Sequence, residues 1–142
     1  MHFSNFFRYM EAAEHAFFDS LGLRLHRNGE EGGMSGWARV HADCDYARPV
    51  HYRDRLRVKL QVRAMTSSTI RYDFAFDCRP ADAEPASPAD GWANDIARGC
   101  LTVAYVGRDS RDERMRARRM PPEVVSAIQI APPELLQDEK GQ

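Results

Sequence analysis

The first repeating pattern along the chain is helical. Phe6, Phe7, Met10, Ala13, Phe17 and Leu21 recur at spacings of three and four, which gathers them on one face of an α-helix. Arg8, Glu11, Glu14, His15 and Asp19 fall on the remaining surface. Ser4 is placed to cap this helix and Gly22 to stop it. So many aromatic side chains on one helix predict a broad apolar surface that another layer must cover.

After a Gly-rich connection from Asn28 to Gly36 the period changes to two. Ala38, Val40, Ala42, Cys44 and Tyr46 alternate with Arg39, His41, Asp43 and Asp45. The cleanest strand follows, with Leu56, Val58, Leu60, Val62 and Ala64 on one face and Arg55, Arg57, Lys59, Gln61 and Arg63 on the other. A turn at Thr66-Ser67-Ser68 leads into Ile70, Tyr72, Phe74, Phe76 and Cys78, alternating with Arg71, Asp73 and Asp77. Both strands read as buried on one face and wet on the other, the antiparallel pattern. Residues 79 to 92 hold prolines and small residues and read as an exposed loop. The last long strand, about Ile96 to Val106, is apolar on both faces near its middle, as a central strand or one covered on both sides is. An Arg-rich segment, a short helix from Pro122 to about Gln129 and a disordered tail close the chain. One helix laid on an antiparallel sheet is an economical two-layer solution.

Composition narrows this only a little. At 142 residues the chain is one domain by length, read as residues 1–130 with a tail at 131–142, and it is large enough for a core without staples. A net charge of -1 favours neither nucleic acid nor membrane as a partner. No apolar run approaches the roughly 18 residues of a membrane span, and the opening turns polar too soon for a signal peptide. The three cysteines, Cys44, Cys78 and Cys100, are odd in number and far apart. They read as free thiols of a reducing, cytoplasmic compartment.

Four segments carry a family resemblance. His2, Asn5, Phe6 and Glu11 in HFSNFFRYMEAAEHAFFDSLGL fall on the leading helix pattern of the 4-hydroxybenzoyl-CoA thioesterase family. Tyr46, Pro49, Tyr52, Asp54, Leu56 and Val58 match its Y-x-x-P-A-x-Y-x-D-x-L-x-V segment. SSTIRYDFAF resembles its serine-bearing turn and aromatic strand, and ARGCLTVAYV its last strand. The resemblance covers nearly the whole chain in the right order, and the helix segment is its most specific part. It implies an α+β hot-dog fold, a long central helix wrapped by an antiparallel sheet, with four strands here and the family's first strand missing. It also implies hydrolysis of an acyl- or aroyl-CoA thioester, coenzyme A entering as part of the substrate and no separate cofactor, in a homodimer or homotetramer. The family's catalytic aspartate sits a few residues ahead of the position of Phe3, before Met1. The expectation is therefore a start further upstream, and the alternative is a chain that has lost this chemistry.

By the same resemblance the backbone N–H of Phe3 polarises the thioester carbonyl, since the first amides of a helix lack intrahelical partners and face developing negative charge. His2 is placed beside the acyl pocket, against the plainer reading of a flexible second residue. Asn5 serves as a cap or a ligand contact. Glu11 and Glu14 are the helix carboxylates available as a replacement base, with a structural hydrogen-bonding role for Glu11 as the alternative. Ser67 and Ser68 are placed at the substrate or simply in the turn. Arg116 and Arg118, within the cluster Arg108, Arg111, Arg114, Arg116, Arg118 and Arg119, suit the phosphates of CoA, where the ordinary reading is a solvated surface. His41, Asp43 and Asp45 share a strand face without a second ligand pair, so no metal is expected. A non-catalytic acyl-CoA-binding or assembly module is the second functional reading, and a hot-dog dehydratase the third.

Overall fold

A computed structural model of the chain describes residues 5–23, 27–28, 34–80, 91–108, 111, 114–132 and 134. The helical pattern forms α1, Asn5–Ser20. It ends as its sequence demands: Gly22 takes a φ of +70°, its N–H reaches Asp19 O at 3.0 Å, and Leu23 N–H reaches Phe18 O at 2.9 Å. These two bonds satisfy carbonyls the last turn would leave open. Phe6, Met10, Glu14 and Phe18 are the buried residues of α1. Phe7, expected in the apolar stripe, is 37% exposed, and Glu14, expected on the polar side, is 1% exposed. The buried stripe thus sits slightly rotated from the one that hydrophobicity outlines.

The strands are β1 (Arg27–Asn28), β2 (Met34–Tyr46), β3 (Arg55–Met65), β4 (Thr69–Arg79), β5 (Ala93–Arg108) and β6 (Met115–Ala117). They make one antiparallel sheet in the order β1-β2-β5-β4-β3, with β6 pairing the far end of β5. Four are long, as expected. The two short ones were not anticipated, and β1 with the start of β2 occupies part of the supposed Gly-rich connection. A six-residue helix, α2 (Pro122–Ala127), follows. Ala131, assigned to the tail, is tied by its N–H to Val62 O at 2.9 Å. Ser4 as helix cap, residues 81–90 of the proline-rich loop and residues 135–142 of the tail lie outside the described residues.

Two bulges break the expected alternation. In β2, Arg39 pairs Val103 and His41 pairs Thr102, leaving Val40 as the extra residue. Before it, Trp37 reaches Phe18 with ring centroids 5.6 Å apart, and Arg39 reaches Glu14. Beyond it, Tyr46 reaches Phe6. The helix-facing side therefore passes from odd to even positions at Val40, which stands 59% exposed. In β3 the extra residue is Arg63. Ala64 turns outward and Met65 takes its place against the core.

β4 departs most from expectation, because both its faces are buried. Tyr72, Phe74 and Phe76 lie under α1, while Asp73 and Asp77 are covered from the opposite side. The cover is charged: Arg63 pairs Asp73 at 2.5 Å, and Arg57 and Lys59 pair Asp77 at 2.7 and 3.3 Å. Long basic stems from β3 lie over the neighbouring strand and keep their heads near water. Burial raises the Asp77 pKa, but the Asp95 N–H, Arg57 and Lys59 outweigh it and hold the carboxyl below its usual range. β5 is the central strand, as its two apolar faces imply. Within the single chain the outer side of α1 is open, with Arg8, Glu11, Ala12, His15, Ala16 and Asp19 exposed. Within the single chain the sheet therefore covers one side of the helix.

Candidate active site

The leading end of α1 is fixed by aromatic contacts. The Phe6 ring meets Tyr46 and Phe76 edge-on, each at 5.0 Å, and Tyr9 at 6.2 Å. These rings clamp the first turn between the ends of β2 and β4. Asn5 opens the helix, partly exposed. No acidic residue occupies the first turn, so no carboxylate of the helix itself offsets the positive end of its dipole. The Tyr46 hydroxyl is pushed up to about 12 by desolvation and the neighbouring Cys44 thiol. Desolvation and Asp54, whose carboxylate lies 3.5 Å from the Cys78 thiol, push that thiol up to about 11. His2 and Phe3 lie outside the described residues.

The two helix carboxylates have opposite surroundings. Glu11 faces solvent, 3.5 Å from Arg39 and 3.8 Å from His15. It stands six residues beyond Asn5, about 9 Å along the helix axis. Glu14 is buried, and its Oε1 accepts a hydrogen bond from Arg39 Nη2 at 3.1 Å. Glu14 Oε2 and the buried Tyr72 hydroxyl lie close, but neither has a well-formed hydrogen bond among the described residues. Desolvation raises the Glu14 pKa, and Arg39 partly reverses this. Desolvation also raises Tyr72, and the Glu14 charge raises it further. Arg39 faces Glu14 because it precedes the Val40 bulge and shares the helix side with Trp37. A carboxylate so shut off from solvent is poorly placed to take a proton from an attacking water.

Ser67 and Ser68 sit in the β3–β4 turn, where their carbonyls accept from Met120 N and Tyr105 N at 2.8 and 2.7 Å. The residue that organises the turn is Thr66: its Oγ1 accepts from Thr69 N at 3.0 Å and pairs Thr69 Oγ1 at 2.6 Å. Ser67 also lines a cavity of about 730 Å³ shared with α2 and its flanks. Arg116 is exposed on β6. The Arg118 side chain lies over Gly107, where a Cβ would displace it, and its Nη2 donates to Arg108 O at 3.0 Å, so it braces the β5–β6 pair. The arginine lining the cavity is the next residue, Arg119. Both arginines lie just beyond β6, and no strand period separates their roles in the sequence.

Within one chain these residues form two groups. Phe6 rests on Phe76, seven residues along β4 from Thr69, so the helix start and the Ser67 turn stand on the order of 20 Å apart.

The architecture matches solved thioesterase structures. The 4-hydroxybenzoyl-CoA thioesterase of a Pseudomonas species aligns over 90% of this chain and 86% of its own, with a TM-score of 0.68 and 16% identity. A gentisyl-coenzyme A thioesterase aligns over 89% and 85%, with a TM-score of 0.64 and 16% identity. The dynemicin thioesterase aligns over 89% and 81%, with a TM-score of 0.67 and 14% identity. Their shared fold is the hot-dog fold, an antiparallel sheet carrying a helix. No curated protein matches the chain. The sequence model of the thioesterase-like superfamily matches residues 1–128, and the chain belongs to that superfamily.

Proposed function

We propose that the protein hydrolyses an acyl- or aroyl-CoA thioester. Water adds to the thioester carbonyl, the tetrahedral oxyanion collapses, the C–S bond breaks, and the free acid and CoA thiol leave. The observation that carries this reading is the clamped leading end of α1 in a superfamily member, with no carboxylate in its first turn to offset the dipole. Amides there suit an oxyanion, and the Phe3 N–H is the proposed donor. His2 orders the water and Glu11 is the proposed base, with Asn5, Ser67, Ser68, Arg116 and Arg118 on the substrate. The helix start and the Ser67 turn serve one substrate only if two copies of the chain meet, so a homodimer or homotetramer belongs to this reading. A cytoplasmic location goes with it, supported by free thiols at Cys44, Cys78 and Cys100. Among the described residues, no helix is long and apolar enough to cross a membrane.

The same first turn without a carboxylate favours a second reading, a non-catalytic acyl-CoA-binding module, because Glu11, the proposed base, stands about 9 Å along the helix from its start. Thiol release from benzoyl-, 4-hydroxybenzoyl- and straight-chain acyl-CoAs separates the two. Turnover above spontaneous hydrolysis, with kcat lowered at least ~10-fold in Glu11→Gln, supports the full assignment. Binding of these thioesters without thiol release selects the module, and neither binding nor release defeats both.

A further inference from the structure

The cavity beside the β3–β4 turn has a chemistry of its own. Met65, Met120, Val125, Ile128 and Ile130 are its large apolar lining residues. Val125 and Ile130 are about half exposed, so the apolar wall meets water on one small surface. Its volume of about 730 Å³ lies within the roughly 300–1,000 Å³ that holds a drug-sized ligand.

The polar groups on the same wall sort by what they already do. Thr66 Oγ1 is committed to Thr69, and Ser126 Oγ donates to Pro122 O at 2.7 Å. Arg119 is the cavity's charged residue, and among the described residues it has no carboxylate partner. This contrasts with Arg39, Arg57, Arg63 and Arg98, each paired to an acid. An apolar recess whose one charged lining residue is an arginine, with Ser67 and Gln129 as further polar lining, matches a molecule with an apolar body and one negative charge. A CoA nucleotide, with several phosphate charges, fits a single guanidinium poorly. The recess also stands at the far end of β4 from the start of α1.

The geometry points to this cavity as a binding site for an amphiphilic monocarboxylate, the apolar part lying against Val125, Ile128 and Ile130 and the carboxylate on Arg119. The recess shares Ser67 with the substrate residues of the hydrolytic reading but does not rest on that reading, because binding is measured without any thioester present.

The test is calorimetric titration of the full chain with decanoate, with decanol as the neutral match, and with CoA alone. Decanoate is expected to bind, and Arg119→Gln to weaken it about tenfold or more while decanol changes little. Val125→Trp, which fills the recess, is expected to weaken both. Arg119 and Val125 are exposed, so both variants should keep the wild-type melting temperature, and a circular-dichroism melt verifies this. Wild-type decanoate affinity in both variants overturns the site, as does CoA binding more tightly than decanoate through Arg119. If Val125→Glu splits an oligomer on a sizing column and decanoate affinity stays at the wild-type level, the recess is a contact between copies and the proposal fails.

Discussion

Glu14 shows how much a single residue's surroundings decide. It sits in the buried stripe of α1 with one oxygen on Arg39 and the other, among the described residues, near only the Tyr72 hydroxyl without a well-formed hydrogen bond. Its pKa is raised, first by desolvation, above the ordinary value of 4.5, so the folded state holds the Glu14 proton more tightly than the unfolded chain does. Stability from this group is then fullest below pH 4.5 and declines as pH rises through the folded-state value. Glu14→Gln lacks that decline. Relative to wild type the variant should gain stability between pH 4.5 and 7.5, read from urea midpoints at both values, and parallel curves would remove the argument. Gly99 makes the complementary point about space. A Cβ there would lie 2.5 Å from Met10 Sδ and 3.2 Å from the Asp43 carbonyl oxygen, so α1 can seat Met10 only over a bare backbone. Gly99→Ala should cost about 1–3 kcal/mol through overpacking, and an unchanged denaturation midpoint would show that Met10 has room to move.

At the scale of elements, the bulges control which residues meet the helix. Because Val40 is the extra residue of β2, removing it restores plain alternation: Arg39 and Ala42 keep the helix side and His41 the outer side. Deletion of Val40 should therefore be tolerated, within about 1 kcal/mol of wild type. Deletion of Ala75 from β4, where the register with β5 is continuous from Thr69 to Phe76, forces half the strand's core side chains outward and should abolish folding. Circular-dichroism melts of the two deletion variants test this, and equal damage from both would contradict the register. The α1 terminator, by contrast, was readable in advance. A glycine after a Phe-rich stripe names its own conformation, since only the last turn's carbonyls and one left-handed residue are involved. Bulges are harder to read, because nothing in HADCDY or VRAMT says which residue lacks a partner on another strand.

For the molecule as a whole, the sheet order sets where stability resides. β5 lies between β2 and β4, and β4 is buried on both faces, so opening either strand breaks contacts on two sides. Amide exchange should be slowest in β4 and β5 and faster in the edge strand β3 and the three-residue β6. Protection in β3 outlasting that in β4 would contradict this order. Periodicity alone established the leading helix, the four long strands and the central place of the last one, because it records which side chains must leave water and that demand is local. The family pattern at the helix start was likewise written in consecutive residues. Tertiary structure decided the burial of Glu14, the reversal of facing at Val40 and Arg63, the charged cover over β4, and the choice of Arg119 rather than Arg118 for the cavity. Each of those depends on partners many residues away, and the free energy of a buried charge or an extra residue is set by what it meets, which no local period encodes.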